Sequence, residues 1–597
     1  MLKFNSGRVT LYMFKLKRYL GIYKKYIVFG PIFKALEAAS DVIIPMLMAL
    51  VIDVGIANRD TSYILIVCGI ILLLNAISIC CAVVCQKCSS IAQTGVCRDI
   101  RRDMFDHINT LSHAEMDKFS TVTLTNRMVH DVDQVGLSIG MTIRNVSRAP
   151  FLLIGSIIMV CFINLKLASI FFIMSPIILF IVLFVMMRNA PKYTELKTRL
   201  DDVTNIARDN LDSVRVVRAF NKQTYELERF DRANKEFTAV NMRIAKSASL
   251  LQPLIALVVN FGIIAILWFG GVEVNLGTIT TGNLVAFVNY LTTISSALVV
   301  IARLIIIYTR TGASTKRIRE VFATNNSVYN AKRLADFTYA DAEGKIEFKK
   351  VNFSYANAKN VVNDLSIVVN PGEVLGIIGG TGSGKSSIVN LIPRFYDCKS
   401  GEVLIDDVNV RKIKIEELRK IVGIVPQNPV LFEGTLRENM QWRKEDASDA
   451  EIVRALKIAQ AYDFVKDLPD YLDHKVLRGG RNFSGGQRQR LTIARALVGN
   501  PKIIILDDSS SALDFATDAN LRRAIATNLN SSTVILVSQR ATSLMTADKI
   551  IVLDNGNVMG IGSHEELLKG CTVYQEIYYS QNQKEDPSPQ SKIGGVN

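Results

Sequence analysis

Two stretches of this chain place phosphate-binding and carboxylate side chains at the ends of apolar runs. In VLGIIGGTGSGKSSIVNLI, the run Val374–Ile378 reads as a buried strand. It enters a glycine-rich turn, Gly379–Gly384, followed by Lys385, Ser386, Ser387 and the spacing of a helix. Gly379, Gly380, Gly382 and Gly384, with Thr381 and Ser383 between them, let backbone N–H groups wrap phosphate oxygens. The helix N-terminus adds its dipole. In that pattern Lys385 contacts the β/γ-phosphates and the Ser386 hydroxyl holds Mg²⁺. PKIIILDD supplies the partner strand, with Asp507 at its carboxyl end, where it also holds Mg²⁺. The expected cofactors are therefore ATP and Mg²⁺.

Those motifs occupy only the second half of the chain. At 597 residues, 49% of them hydrophobic, it is too long for one core and unusually apolar. Six runs are long and apolar enough to cross a bilayer, at about 27–52, 62–86, 140–163, 165–188, 248–271 and 281–307. The links after the first, third and fifth runs are short and nearly free of basic residues. Those after the second and fourth are long, charged and helical in period. Nearly all of the +15 net charge falls in this half. The positive-inside rule then puts the long links and both termini in the cytoplasm, in a multi-pass protein of the cytoplasmic (inner) membrane. With that explanation of the charge, and no basic patch interleaved with aromatics elsewhere, nucleic acid is excluded as a partner. Membrane lipid is a partner instead.

The domain reading follows: 1–322 as a transmembrane domain with an N-terminal amphipathic elbow helix and no cleaved leader, 323–344 as a polar linker, 345–580 as a nucleotide-binding domain, and 581–597 as a disordered tail. The long links are expected to continue as helical rods below the bilayer. Each turns at a docking segment, near 113–122 and near 211–222. Lys34, Glu37, Asp41, Arg144, Arg148 and Arg303 lie in or beside spans, where charges face a cavity or a partner. Asp41 and Arg303 are candidates for a substrate path, as are the side chains of Phe261, Phe287, Asn289 and Tyr290. Cys81, Cys85 and Cys88 share one helix face and read as small packing residues more readily than as a metal site.

Further segments resemble those of ATP-binding cassette (ABC) transporters. FSGGQRQR, Phe483–Arg490, is similar to the family signature, Gln427 in IVPQNPVLF to the Q-loop, Tyr355 to the aromatic that stacks on adenine, and SALD, Ser511–Asp514, to the D-loop. Membrane domain first, with one cassette fused behind it, resembles the exporter-type half-transporters over about residues 10–578. The resemblance implies a six-helix α membrane domain and an α/β P-loop domain with an antiparallel β subdomain and a helical signature subdomain. It also implies two cassettes closing head to tail over two ATPs. Lys385, Ser386, Asp507 and Gln427 then hold this chain's own ATP and Mg²⁺, while Ser484, Gly485, Gly486 and Gln487 serve the partner's, and Asp514 belongs to the D-loop.

Two positions depart from the family pattern. Asp508 stands where hydrolysing members carry a catalytic glutamate, and Gln539 in LVSQR where they carry a switch histidine. An aspartate is one methylene too short to reach the attacking water, and an amide cannot take up a proton as imidazole does. Leu477 and Arg478, just before the signature, also replace the Gly and Glu often found in relatives. The expectation is a site that binds ATP and cleaves it poorly. The partner is then a second half-transporter bringing the complete Walker B glutamate and switch histidine, and the pair exports an amphipathic small molecule in the multidrug manner. Alternatives are an importer with the exporter fold, a lipid or peptide exporter, and a nucleotide-gated regulatory or channel subunit.

Overall fold

A computed structural model describes residues 17–331, 333–355, 360–509, 512–529 and 531–582. The chain divides into two compact units, one of residues 1–109 and 121–324, the other of 110–120 and 325–597. Residues 1–16 and 583–597 lie outside the described part, and with them most of the expected elbow helix and tail.

The first unit is helical. Among the described residues six helices are long and apolar enough to cross a membrane: Lys24–Ile56, Thr61–Thr110, Thr121–Ile163, Leu165–Asp212, Gln223–Asn275 and Thr281–Phe322. The second runs for 50 residues, about 75 Å at ~1.5 Å per residue, against a hydrocarbon layer of ~30 Å. Such a helix extends well beyond the bilayer. Its sequence shows why: the apolar stretch gives way after Cys88 to a charged, Gly- and Pro-poor continuation that keeps helical propensity. Side-chain bonds tie the rods together. Tyr23 donates to Asp99 at 2.9 Å, and Arg317 pairs with the buried Asp131. At the other end Asn164 and Thr280 cap the fourth and sixth helices through their side chains.

The charged residues near the first and third spans mostly satisfy one another. Lys34 lies 2.6 Å from Glu37, and Arg148 lies 2.9 Å from Asp41. Asp41, expected as a path residue, is therefore held in an ion pair. Phe287 and Tyr290 correct the path reading further, because both are fully buried and the Tyr290 hydroxyl donates to the Val42 carbonyl at 2.8 Å. They are helix contacts. Arg303, Asn289 and Phe261 remain exposed. Cys81, Cys85 and Cys88 are buried between helices as free thiols.

The second unit is the cassette, with three sheets. β1 (Ile346–Phe353), β2 (Val362–Val369), β4 (Ser400–Ile405) and β5 (Val408–Asn409) form an antiparallel sheet in the order β2-β1-β4-β5. β3 (Val374–Gly379), β6 (Val422–Val425), β9 (Ile503–Asp507), β10 (Thr533–Val537), β11 (Lys549–Asp554) and β12 (Asn557–Gly562) form the central sheet, in the order β12-β11-β3-β10-β9-β6. It is parallel except for β12. β9 is buried along its whole length, as expected for a strand covered on both faces. β7 (Gly434–Thr435) and β8 (Lys475–Val476) pair within the helical part.

The stretch expected as a linker is not free of this unit. Ala335 donates to the Lys412 carbonyl, and Phe337 and Ala342 join the apolar core. Its few apolar side chains decide its course. The first docking segment also belongs here: the short helix His113–Phe119 stacks His113 on Phe395 with centroids 4.2 Å apart, while Tyr396 donates to Asp117 at 2.7 Å. The second, Val214–Ala219, lies in the first unit with Val216 and Phe220 exposed.

Candidate functional site

β3 and β9 flank β10, so the glycine-rich turn and Asp507 emerge at the same carboxyl edge of the sheet, one strand apart. This is where open α/β sheets bind ligands. Gly384, at φ 101°, precedes the helix Lys385–Leu391. A Cβ there would meet the Val361 carbonyl at 2.5 Å, so the turn needs glycine on both conformational and steric grounds. Gly380 and Gly382 have open space instead, leaving their amides approachable.

The Lys385 ammonium folds back into this turn. It donates to the carbonyls of Gly379 at 2.9 Å and Gly380 at 2.7 Å, with Ser383 Oγ at 3.5 Å. Burial pushes its pKa down, and the charges of Asp508 and Asp507 act against that shift. Beside it Ser386 Oγ donates to Asp507 Oδ1 at 3.2 Å. A hydroxyl and a buried carboxylate in contact, next to a phosphate-binding turn, fit the oxygen ligand set of Mg²⁺. Burial raises the Asp507 carboxyl, the Asp508 charge adds to that shift, and the Ser386 hydroxyl and the Lys385 charge oppose it. With Mg²⁺ bound, these two groups would fix its position and the metal would neutralise phosphate charge.

The two departures meet at one atom. Asp508, at φ 46°, follows β9 in the left-handed region and bonds its N–H to the Val537 carbonyl. Its Oδ2 accepts from Gln539 Nε2 at 3.2 Å and from Gln427 Nε2 at 3.4 Å. Burial raises the Asp508 carboxyl, while Gln539 and then Lys385 pull it back. Thus Gln427, Asp508 and Gln539 converge, and one of the two carboxylate oxygens already accepts from two amide donors.

The other expected residues fall around this centre. The Tyr355 hydroxyl lies 3.0 Å from Ser387 Oγ, and its ring stands edge-on to Tyr396 at 5.3 Å. Residues 356–359 after it lie outside the described part, as does Ser511 of the D-loop stretch. Asp514 caps the helix Phe515–Asn528, accepting from Thr517 N at 2.7 Å. Ser484 and Gln487 form a reciprocal cap on the helix Gly485–Leu497. Among the described residues no bond joins this segment to Lys385. Ser484 and Gly485 are exposed, and nothing lies within 4 Å of a Cβ at Gly485, so the N-terminus of that helix is open to a second molecule. Leu477, on the turn before it, is also exposed.

One participant was not singled out from the sequence. Gln581, near the end of the helix Thr572–Asn582, donates from Nε2 to the Gln539 carbonyl at 2.7 Å and accepts from Ala541 N at 2.8 Å. It clamps the backbone on both sides of Arg540. Its only sequence signal is a polar residue at the end of a helical period.

Comparison with known proteins agrees with this architecture. Residues 27–298 match the family described as ABC transporter transmembrane region, and residues 362–511 match the family described as ABC transporter. The ABC transporter ATP-binding protein YfiB of Bacillus subtilis is 34% identical over 91% of this chain and 94% of its own length. An ATP-dependent lipid A-core flippase of Desulfotalea psychrophila is 31% identical over 81% of this chain and 84% of its own. In fold, the chain is similar to a bacterial Atm1-family ABC exporter solved with ATP bound: TM-score 0.78 at 23% identity, covering 95% of this chain and 99% of that one. Six spans with one cassette behind them, built on a phosphate loop, a Walker B strand and an open signature helix, make this chain a member of the ABC transporters, a half-transporter of the exporter type.

Proposed function

We propose that this chain is the ATP-retaining half of a heterodimeric exporter in the cytoplasmic membrane, with both termini in the cytoplasm. Its own phosphate loop holds ATP and Mg²⁺ and cleaves the nucleotide slowly. Its signature, Ser484–Gln487, completes a second site on a partner half that carries the missing glutamate and histidine. The observation that carries this reading is the engagement of Asp508 Oδ2 by Gln539 and Gln427. A carboxylate too short by a methylene, with one oxygen already accepting from two amides, is a poor general base. The exposed, conformationally open start of the signature helix supports service to a neighbour.

ATP-driven closure of the paired cassettes would move the rod-like helices and carry an amphipathic molecule outward. The likeness to flippases favours a cargo with a lipid-like apolar part over a peptide.

The test is asymmetry in the assembled pair. Lys385→Ala should leave most steady-state ATPase activity intact, because it strikes the retaining site. Ser484→Arg should remove it, because it obstructs the partner's γ-phosphate. Equal losses from the two changes would defeat the heterodimer reading.

A further inference from the structure

The first docking helix, His113–Phe119, is only seven residues long, too short to hold its shape without tertiary contacts. Phe395 and Tyr396 grip its body. Its start is held by a different segment, the stretch just after the sixth membrane helix. Asn326 makes three bonds there. Its Nδ2 donates to the Thr110 carbonyl at 2.5 Å, and its Oδ1 accepts from Ser112 N at 2.9 Å and from Val328 N at 3.4 Å. Ser327 Oγ lies 2.8 Å from Ser112 Oγ and donates to Glu115 Oε2 at 3.2 Å. Ser112 and Val328 are buried. Further along, Asn330 Oδ1 accepts from Ile415 N at 3.0 Å and Ala335 N donates to the Lys412 carbonyl. Residues 326–335 therefore run as a strap, with one end on the docking helix and the other on the cassette.

The strap takes up bonds that the docking helix is equipped to make by itself. Ser112 is its N-cap and Glu115 its third residue. At that spacing a serine hydroxyl accepts from the glutamate N–H, while the carboxylate accepts from the serine N–H. Elsewhere in the cassette the same pattern closes on itself, at Thr435 with Glu438, Ser448 with Glu451 and Ser563 with Glu566. At Ser112 it stands open. The hydroxyl makes no cap bond and donates to the Glu115 carboxylate instead, which Ser327 also engages. The Ser112 N–H goes to Asn326, 214 residues away. The helix start thus has two sets of partners, one local and one distant. Exchanging them leaves the Ser112 N–H paired in either arrangement, so neither carries the cost of an orphaned buried donor.

We propose that residues 326–328 are a releasable strap, engaged with the docking helix in one state of the transport cycle and replaced by the local Ser112–Glu115 cap in the other. Asn326 is its positioning residue. Thr110 is the last residue of the second membrane helix, and Asn326 follows the end of the sixth by four residues. With the strap engaged, a moving cassette carries both helix ends together. With the local cap closed, the two ends are free to part. A two-state element of this kind is what a cassette needs to pass its movement on in one state and not in the other. Such a strap works whichever half hydrolyses ATP.

The test places thiols where the two hydroxyls touch, as Ser112→Cys with Ser327→Cys, in the full-length chain reconstituted with its partner half in nanodiscs. Diamide oxidises the pair to a disulfide, with the parent treated in parallel as the blank. The rate of cross-linking should differ by about fivefold or more between nucleotide-free transporter and transporter saturated with Mg-ATP. Closing the disulfide should cut steady-state ATPase activity by about tenfold, and dithiothreitol should restore it. Equal rates in the two states, or turnover undiminished with the strap locked, would each overturn the proposal. If the cysteine pair does not assemble, Asn326→Ala decides by hydrogen exchange. Residues 325–328 should exchange about fivefold faster while the Ser112 amide stays protected, because the local cap closes on it. Asn326→Asp, which keeps the acceptor, should recover part of the protection at 325–328. Loss of protection at Ser112 together with 325–328 would show Asn326 to be a static brace and sink the two-state reading.

Discussion

Replacing Asp508 by Glu and Gln539 by His together should turn the retaining site into a hydrolysing one. The structure sets the scale. Asp508 Oδ2 is held by Gln539 at 3.2 Å and by Gln427 at 3.4 Å, so the short carboxylate is both withdrawn and engaged. One extra methylene restores ~1 Å of reach, and misplacement on that scale costs ~10²-fold, or ~2.7 kcal/mol of barrier. The histidine removes one of the two amide donors and supplies a group that can carry charge beside the γ-phosphate. Asp508→Glu alone should gain ~10-fold, because Gln427 and Gln539 still compete for the longer carboxylate, and the pair ~10²-fold. The assay is steady-state phosphate release from the purified chain in nanodiscs with Mg-ATP, with Lys385→Ala as the zero. In the parent, Asp508→Asn should change the rate by less than ~3-fold, since general-base catalysis worth 10²–10⁴-fold is already absent. A parent that turns over briskly and is silenced by Asp508→Asn would refute the reasoning outright.

Three further outcomes are expected. Burial against Phe395, aided by Arg419 and opposed by Asp117, pushes the His113 pKa down. Its docked form therefore contributes stability above the ordinary imidazole value of ~6.5 and loses it as pH falls through the lowered value. Hydrogen exchange in 113–119 should accelerate on acidification, and His113→Phe should remove the pH dependence. Tyr396→Phe deletes the hydrogen bond to Asp117, a solvent-accessible charge-assisted contact worth ~1 kcal/mol. The same segment should exchange about fivefold faster, with ATP affinity unaltered. Gln581→Ala frees the backbone around Gln539. In the Asp508→Glu, Gln539→His background it should lower kcat severalfold with KM for ATP and Tm unchanged, and an equal loss in KM would rule out a positioning role.

Much of the cassette chemistry is local, and local patterns are what a sequence displays. The turn Gly379–Gly384 adopts its backbone because glycine alone tolerates the φ of Gly384 and the approach of Val361. Lys385 and Ser386 follow at fixed offsets on a helix start. The six spans were equally legible, because the bilayer demands a length of apolar residues whatever their neighbours do. Their extent was less so. Helix Leu165–Asp212 continues far past the apolar run at 165–188, since propensity carries a charged rod beyond the point where hydropathy stops marking it.

Contacts between distant segments left no such trace. Phe287 and Tyr290 look like any aromatic on a span, and only helix packing showed them enclosed while Arg303 stayed open. The polar stretch after Phe322 reads as a tether until Phe337 and Ala342 find the cassette core. Gln581 reaches Gln539 across 42 residues, and nothing in either neighbourhood announces the other. Sequence alone determined which chemical groups are present at the nucleotide site, including the short acid at 508 and the amide at 539. Tertiary structure decided that these two, with Gln427, share one oxygen. Three strand ends must be brought to one edge of the sheet before a missing methylene becomes a geometric fact.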